Sequence, residues 1–210
     1  HHALTELPDV DAMRDQLKAI RAATLSRLAD HLETFERQAT ATGSKVHWAR
    51  DAAEANQIAI DIARQHGVEL IVKTKSMATE ETHLNHALID AGITPVETDL
   101  GEWIIQLAGE PPSHIVGPAL HKTRQQVAEL FSKEVGRELD PDDIPGLTAE
   151  ARRLLREKFL AAGLGITGAN LAVAETGSIV LVTNEGNGRL VTSAPPVQIA
   201  LVGIEKIAPT

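Results

Sequence analysis

The sequence predicts a helix-covered parallel α/β sheet preceded by a helical arm, and three observations carry that prediction. Short apolar runs alternate with amphipathic stretches from residue 45 onward, and the connections between them are short, the pattern of strand–helix–strand crossovers. Residues 1–44 carry helical periodicity and no strand signal, so the chain divides into an N-terminal helical arm (1–44) and an α/β domain (45–210). With three Phe, two Trp and no Tyr, the core has to be built from Ala, Val, Ile and Leu.

In the arm, Met13, Leu17, Ile20, Leu25, Leu28, Leu32 and Phe35 recur at helical spacing among charged residues. They predict one long amphipathic helix, or two broken near Ala23 and Thr24. The arm is either a surface helix or a surface for another chain. Gly43-Ser44 ends it, and Lys45 to Trp48 reads as a short strand. Asp51 caps a helix running to His66, which Gly67 stops. Val68–Lys73 is a strand, Thr79–Ala91 a helix and Ile93–Glu97 a strand. Leu100–Leu107 is a short helix, His114–Val116 a strand and His121–Val135 a helix. Residues 136–147 read as a polar linker or lid rich in Pro, Gly and Asp, before a helix over Thr148–Ala162. Ile179–Val182 reads as a buried strand, and Val197–Ile207 as the last one.

Bulk properties exclude several classes of function. There are 29 acidic and 20 basic residues, a formal charge of −9. This disfavours nonspecific nucleic-acid binding and anionic membrane surfaces. No apolar run approaches the roughly 18 residues of a membrane span. The absence of cysteine rules out disulfides and thiolate ligands in this chain, and the cytoplasm is the expected compartment. The pattern Gly163-x-Gly165-x-x-Gly168 has a helix before it and extended chain after it, the reverse of a dinucleotide site. His1-His2 reads as an expression scar.

Ligands of parallel sheets sit at the carboxyl ends of the strands, and each strand here runs into polar residues. Lys73, Lys75 and Ser76 follow one strand, Glu97 and Asp99 another, and His114 precedes a third polar segment reaching His121. The turns around Ile179–Val182 add Glu175 and Thr176 on one side and Asn184, Glu185, Asn187 and Arg189 on the other. Two ammonium groups beside a helix start suit a carboxylate or phosphate, and Arg189 can grip one bidentately. These residues form the expected ligand site: an anion cradle of Lys73, Lys75, Ser76, Asn184, Asn187 and Arg189. Glu175 and Glu185 are candidate acid–base groups. Each feature also has a plain reading: a solvated lysine pair, an Asp99 helix cap, and two tight turns of a hairpin. Glu80, His83 and His86, at helical spacing, are the nearest approach to a metal motif; no second such motif occurs, so no metal is expected. No nucleophile elbow supports a hydrolase.

With these residues in view, the chain resembles the LUD-domain family, in the form found at the N-terminal region of lactate-utilisation iron–sulfur proteins of the B type. The matching text comprises Val46 to Ala49, Lys73 to Met77, Glu97 to Glu102, His114 to Ala119 and Gly165 to Asn170. It continues through Ala174 to Gly177, Thr183 to Leu190 and Gly203 to Lys206. The resemblance implies a three-layer α/β/α fold, with a parallel or mixed sheet, like that of glucosamine-6-phosphate deaminase, ribose-5-phosphate isomerase and CoA transferases. It implies membership of a multi-subunit system oxidising L-lactate to pyruvate. Other lactate-utilisation subunits are the implied partners, and a homo-oligomer is left open. Family relatives carry iron–sulfur clusters on cysteines of a C-terminal region; this chain, lacking cysteine, is expected to hold no cofactor. Two alternatives stand beside this reading: an isomerase or CoA-transferase-like enzyme using Glu175, and an assembly module.

Overall fold

The computed structural model describes residues 6–114 and 117–210, and its chain separates into two compact units. The larger comprises Trp48–Gly168 and Thr183–Leu201; the smaller comprises residues up to His47, Ala169–Val182 and Val202–Thr210. The helical arm therefore shares its unit with two later segments, a grouping that local periodicity does not reveal.

The larger unit is built on four parallel strands: β1 (Leu70–Lys73), β2 (Thr94–Glu97), β3 (Leu164–Thr167) and β6 (Val197–Ala200), in the order β2-β1-β3-β6. Side chains alternate across the pleat. Ile71, Leu164 and Ile166 enter a cluster with Ala59, Ile60, Ala63, Leu84 and Leu88. Val72 and Val96 enter a second with Trp103, Phe131, Leu155 and Phe159. Helices on both faces make this a three-layer α/β/α unit. Gly165 faces the second layer because a Cβ there would lie 2.1 Å from the carbonyl oxygen of Val191, so strand and helix backbone can pass only at glycine.

Helix α3 (Ala52–Gln65) starts as expected, with the Asp51 carboxylate accepting from the Glu54 amide, and Gly67 follows it at φ 63°. The helix expected over Thr79–Ala91 is two helices, α4 (Met77–Glu81) and α5 (Leu84–Asp90), divided at His83 with φ 54°. Helix α6 (Leu100–Ala108) follows β2, and α7 (Arg124–Val135) carries a complete capping box from Thr123 and Gln126. The segment over 136–147 is not wholly linker: α8 (Ile144–Ala161) begins inside it, capped by Asp143 with Pro145 in its first turn. Asn187–Ser193 is a further helix, α9, entered from Gly186 at φ 83°.

In the smaller unit, α1 (Val10–Ser26) and α2 (Leu28–Ala41) meet at Arg27, slightly beyond the expected break. Strands β4 (Leu171–Val173), β5 (Ser178–Val180) and β7 (Ile207–Ala208) form a sheet in the order β5-β4-β7. Leu28, Leu32 and Phe35 cover its Ala172, Ala174 and Ile207. The apolar run expected to be a buried strand is an exposed edge: Ile179, Val180 and Val182 are 37%, 38% and 74% accessible. Lys45–Trp48 is irregular, and the strand expected over Val197–Ile207 stops at Ala200 before a 3-10 turn at Ile204–Lys206. Of the strand expected over His114–Val116, residues 115 and 116 lie outside the described residues.

Candidate functional site

Strands β1 and β2 end side by side, with Lys73 paired to Glu97 in register. The Lys73 ammonium is fully buried and donates to Glu97 Oε1 at 2.5 Å. Asn85 Nδ2 donates to the same oxygen at 2.7 Å, and Glu80 Oε1 stands 3.7 Å from the ammonium. The break at His83 turns the chain between the helices carrying Glu80 and Asn85, and both side chains meet the same ion pair. Glu97 Oε2 is buried and has no hydrogen-bond partner among the described residues. Burial holds the Glu97 carboxyl above its ordinary range against the opposing pull of Lys73 and Asn85.

A second layer of contacts binds the loops beyond the strand ends. Asp99 Oδ2 accepts from the Lys75 amide at 2.7 Å and from Asn187 Nδ2 at 2.9 Å. Asn187 also donates to the Thr98 hydroxyl, which itself donates to the Lys73 carbonyl. Lys75 Nζ pairs with Glu102 at 2.6 Å, and burial raises the Glu102 carboxyl while Lys75 opposes it. Glu185 accepts from the Leu100 amide at 3.1 Å. The Ser76 hydroxyl accepts from the Thr79 amide, and a Cβ at Gly168 would fall 2.6 Å from its oxygen, so the loops after β1 and β3 approach closely at the switch in strand order.

The structure thus brings Lys73, Lys75, Ser76, Glu97, Asp99, Glu185 and Asn187 into connected contacts at one edge of the parallel sheet. It assigns them partners that differ from an open anion cradle. Both lysines are already neutralised by carboxylates, and Asn187 is spent on Asp99 and Thr98. Arg189 and Asn184 are exposed, and Arg189 makes no ion pair among the described residues. His114 accepts from the Gly117 amide at 3.3 Å. Glu175 and Thr176 belong to the smaller unit, in the exposed turn joining β4 to β5, where the Gly177 amide donates to Val173 and Thr176 to Ser178. A Cβ at Gly177 would lie 2.3 Å from the Ala39 nitrogen, so this turn is shaped by packing on α2. The hairpin reading holds for that turn, whereas the Asn184–Arg189 segment leads into helix α9. Glu80, His83 and His86 do not share one helix: Glu80 faces Lys73, and the two imidazoles contact edge to face. Sequence reasoning missed Asn85 and Thr98 as members of the network; Glu102 was legible beforehand, as the third of the carboxylates that Glu97, Asp99 and Glu102 crowd into six residues.

The family model described as the LUD domain matches residues 32–210. The chain is 45% identical over 205 residues to the "Uncharacterized electron transport protein YkgF" of Escherichia coli, an alignment covering 98% of this chain and 43% of that protein. It is 47% identical over 206 residues to Lactate utilization protein B of Oceanobacillus iheyensis, covering 98% and 43%. To Lactate utilization protein B of Bacillus thuringiensis it is 43% identical over 208 residues, covering 99% and 44%. The chain therefore spans less than half the length of these curated relatives. No solved structure matches it.

Proposed function

Because the chain belongs to the LUD-domain family, we propose that it serves lactate utilisation, as a domain of a cytoplasmic, multi-subunit system that oxidises L-lactate to pyruvate. Its own part is to bind a small carboxylate at the carboxyl edge of the parallel sheet. The observation that carries this reading is the pair of hydrogen bonds from Asn187 to Thr98 and Asp99. They tie the helix that bears Arg189 to the loop after β2, where the buried Lys73–Glu97 pair ends the strands. Arg189, exposed and in no ion pair among the described residues, presents the fork that grips the carboxylate, with Asn184 of the same segment as a further donor. The two lysines act through their carboxylate partners to hold the loops. Among the described residues, no helix is long and apolar enough to cross a membrane.

Cluster-based electron transfer, which the family resemblance implies for a cysteine-bearing C-terminal region, does not fit the donors of this chain. It contains no cysteine, and among the described residues no group of three or more His, Asp or Glu could hold a metal. We assign that step to the part of the relatives this chain does not span.

The test is calorimetric titration of the chain with L-lactate and pyruvate, beside growth on L-lactate of a strain carrying the altered gene. A charge-assisted pair contributes about 1.5–3 kcal/mol, so Arg189→Ala should weaken binding roughly 10- to 150-fold and impair growth. Arg153→Ala should be silent, since among the described residues that exposed side chain pairs only with Glu150 and Glu157 on its own helix. No binding heat at high millimolar ligand, or equal growth of the two variants, removes the carboxylate site.

A further inference from the structure

The chain leaves β1 for β2 on one side and later returns to β3 on the other, so the strand order changes direction between β1 and β3. Open parallel sheets bind ligands beside such a switch, outside the carboxyl ends of the strands. Three threonines stand there in a row. The Thr98 amide donates to the Lys73 carbonyl and the Thr74 amide to the Ile166 carbonyl, so the ladder runs one residue past the strand ends. Lys73 is paired with Glu97 on one side and Ile166 on the other, which sets Thr74 between Thr98 and Thr167. Alternation along the strands puts all three on the face of Val72, Val96 and Gly165, the face that α9 covers with Val191. The outer two hydroxyls are engaged: Thr98 accepts from Asn187 and donates to the Lys73 carbonyl, and Thr167 accepts from Gln198. The central one is not. Thr74 is 6% accessible, and its hydroxyl has no hydrogen-bond partner among the described residues. A buried hydroxyl is costly to the fold unless something pairs with it, and at a switch point that something is a ligand.

We propose that the Thr74 hydroxyl is the specificity contact for the oxygen on the second carbon of a 2-hydroxy or 2-oxo acid, the group that separates L-lactate from a plain carboxylate. This rests on the carboxylate reading above, in which Arg189 of α9 holds the acid group. A hydroxyl both donates and accepts, so one side chain serves the alcohol and the ketone alike. The way in lies under the first turn of α9. That turn is entered from Gly186 at φ 83° and held over the row by the hydrogen bonds of Asn187 to Thr98 and Asp99. Lifting it uncovers Thr74, and closing it again carries Arg189 back toward the sheet.

Thr74→Val keeps the shape of the side chain and removes the hydroxyl. Calorimetric titration with L-lactate and with propionate, which lacks the second-carbon oxygen, separates the two contacts. The parent should bind L-lactate roughly tenfold tighter than propionate, the worth of one hydrogen bond. Thr74→Val should bind the two acids equally, with its affinity for propionate unchanged, and Thr74→Ser, which keeps a hydroxyl, should keep the preference. In urea unfolding Thr74→Val should be no less stable than the parent, because the fold loses no hydrogen bond. Thr98→Val, which strips the partner from Asn187, should be less stable. Equal binding of the two acids by the parent, a preference that survives Thr74→Val, or a loss of stability in Thr74→Val as large as in Thr98→Val overturns the proposal and leaves the carboxylate site standing. Absence of binding heat from both acids removes the carboxylate site and this contact with it.

Discussion

Replacing Lys73 by methionine keeps the length of the side chain and removes the ammonium group that faces Glu97. With the two side chains 0% and 5% accessible, the carboxylate would be left in the interior with only Asn85 donating to it. Breaking a buried pair on one side costs about 3–5 kcal/mol. The loss has a ceiling, because Glu97 can escape by taking up a proton. That costs about 1.4 kcal/mol per pH unit above an ordinary carboxyl value of about 4.3, hence about 4 kcal/mol at pH 7.4 and about 1 at pH 5. The sign follows from the raised Glu97 carboxyl. The unfolded chain releases this proton first, so stability falls as pH rises above the ordinary carboxyl value, until the folded group ionises as well. Removing Lys73 takes away an opposing pull and extends that window upward. Urea unfolding should therefore show Lys73→Met about 3–4 kcal/mol less stable than the parent at pH 7.4, and about 1–2 kcal/mol less at pH 5. The double variant Lys73→Met/Glu97→Met should recover much of the deficit. A deficit independent of pH, or one that the second substitution deepens additively, would refute the reasoning.

Two further outcomes follow from backbone geometry and can be read by the same unfolding measurement. His83→Gly should leave stability unchanged or raise it, and His83→Val should lower it by about 1–2 kcal/mol, because φ 54° suits glycine and penalises a β-branched residue; equal effects would mean the turn relaxes freely. Gly165→Ala should cost more than about 2 kcal/mol, since the new methyl group would meet the Val191 carbonyl rather than a movable side chain. A near-neutral result would show that β3 and α9 can separate.

Strand ends and helix starts in the larger unit were legible because each has a local cause. The run to Lys73 stops at polar residues, Asp51 caps its helix, and the polar residues after β1 and β2 converge because parallel strands end on one edge. The partners within that edge were not legible. Whether Lys73 meets a ligand or Glu97 depends on register between strands 24 residues apart, which no local pattern encodes. The break at His83 escaped notice because neither glycine nor proline marks it. Ile179–Val182 looked like core because an apolar run does not tell an edge from an interior strand. The start of α8 did leave a signal, Asp143 followed by Pro145, which a reading of residues 136–147 as linker passed over.

The smaller unit is assembled from three stretches far apart in the chain, and this bears on how it comes to exist. Leu28, Leu32 and Phe35 are made well over a hundred residues before the side chains they pack on, Ala172, Ala174 and Ile207. Strand β4 finds its parallel neighbour only at Ile207–Ala208. During synthesis at about 5–20 residues per second, the N-terminal helices would wait on the order of ten seconds or more with their apolar faces uncovered. The parallel sheet closes earlier, once β6 has emerged. Long-range closure of this kind slows folding and leaves sticky surface in the nascent chain. Strand β7 acts as a latch, and a ribosome stalled before Ile207 would carry a smaller unit without the strand that β4 pairs with in parallel.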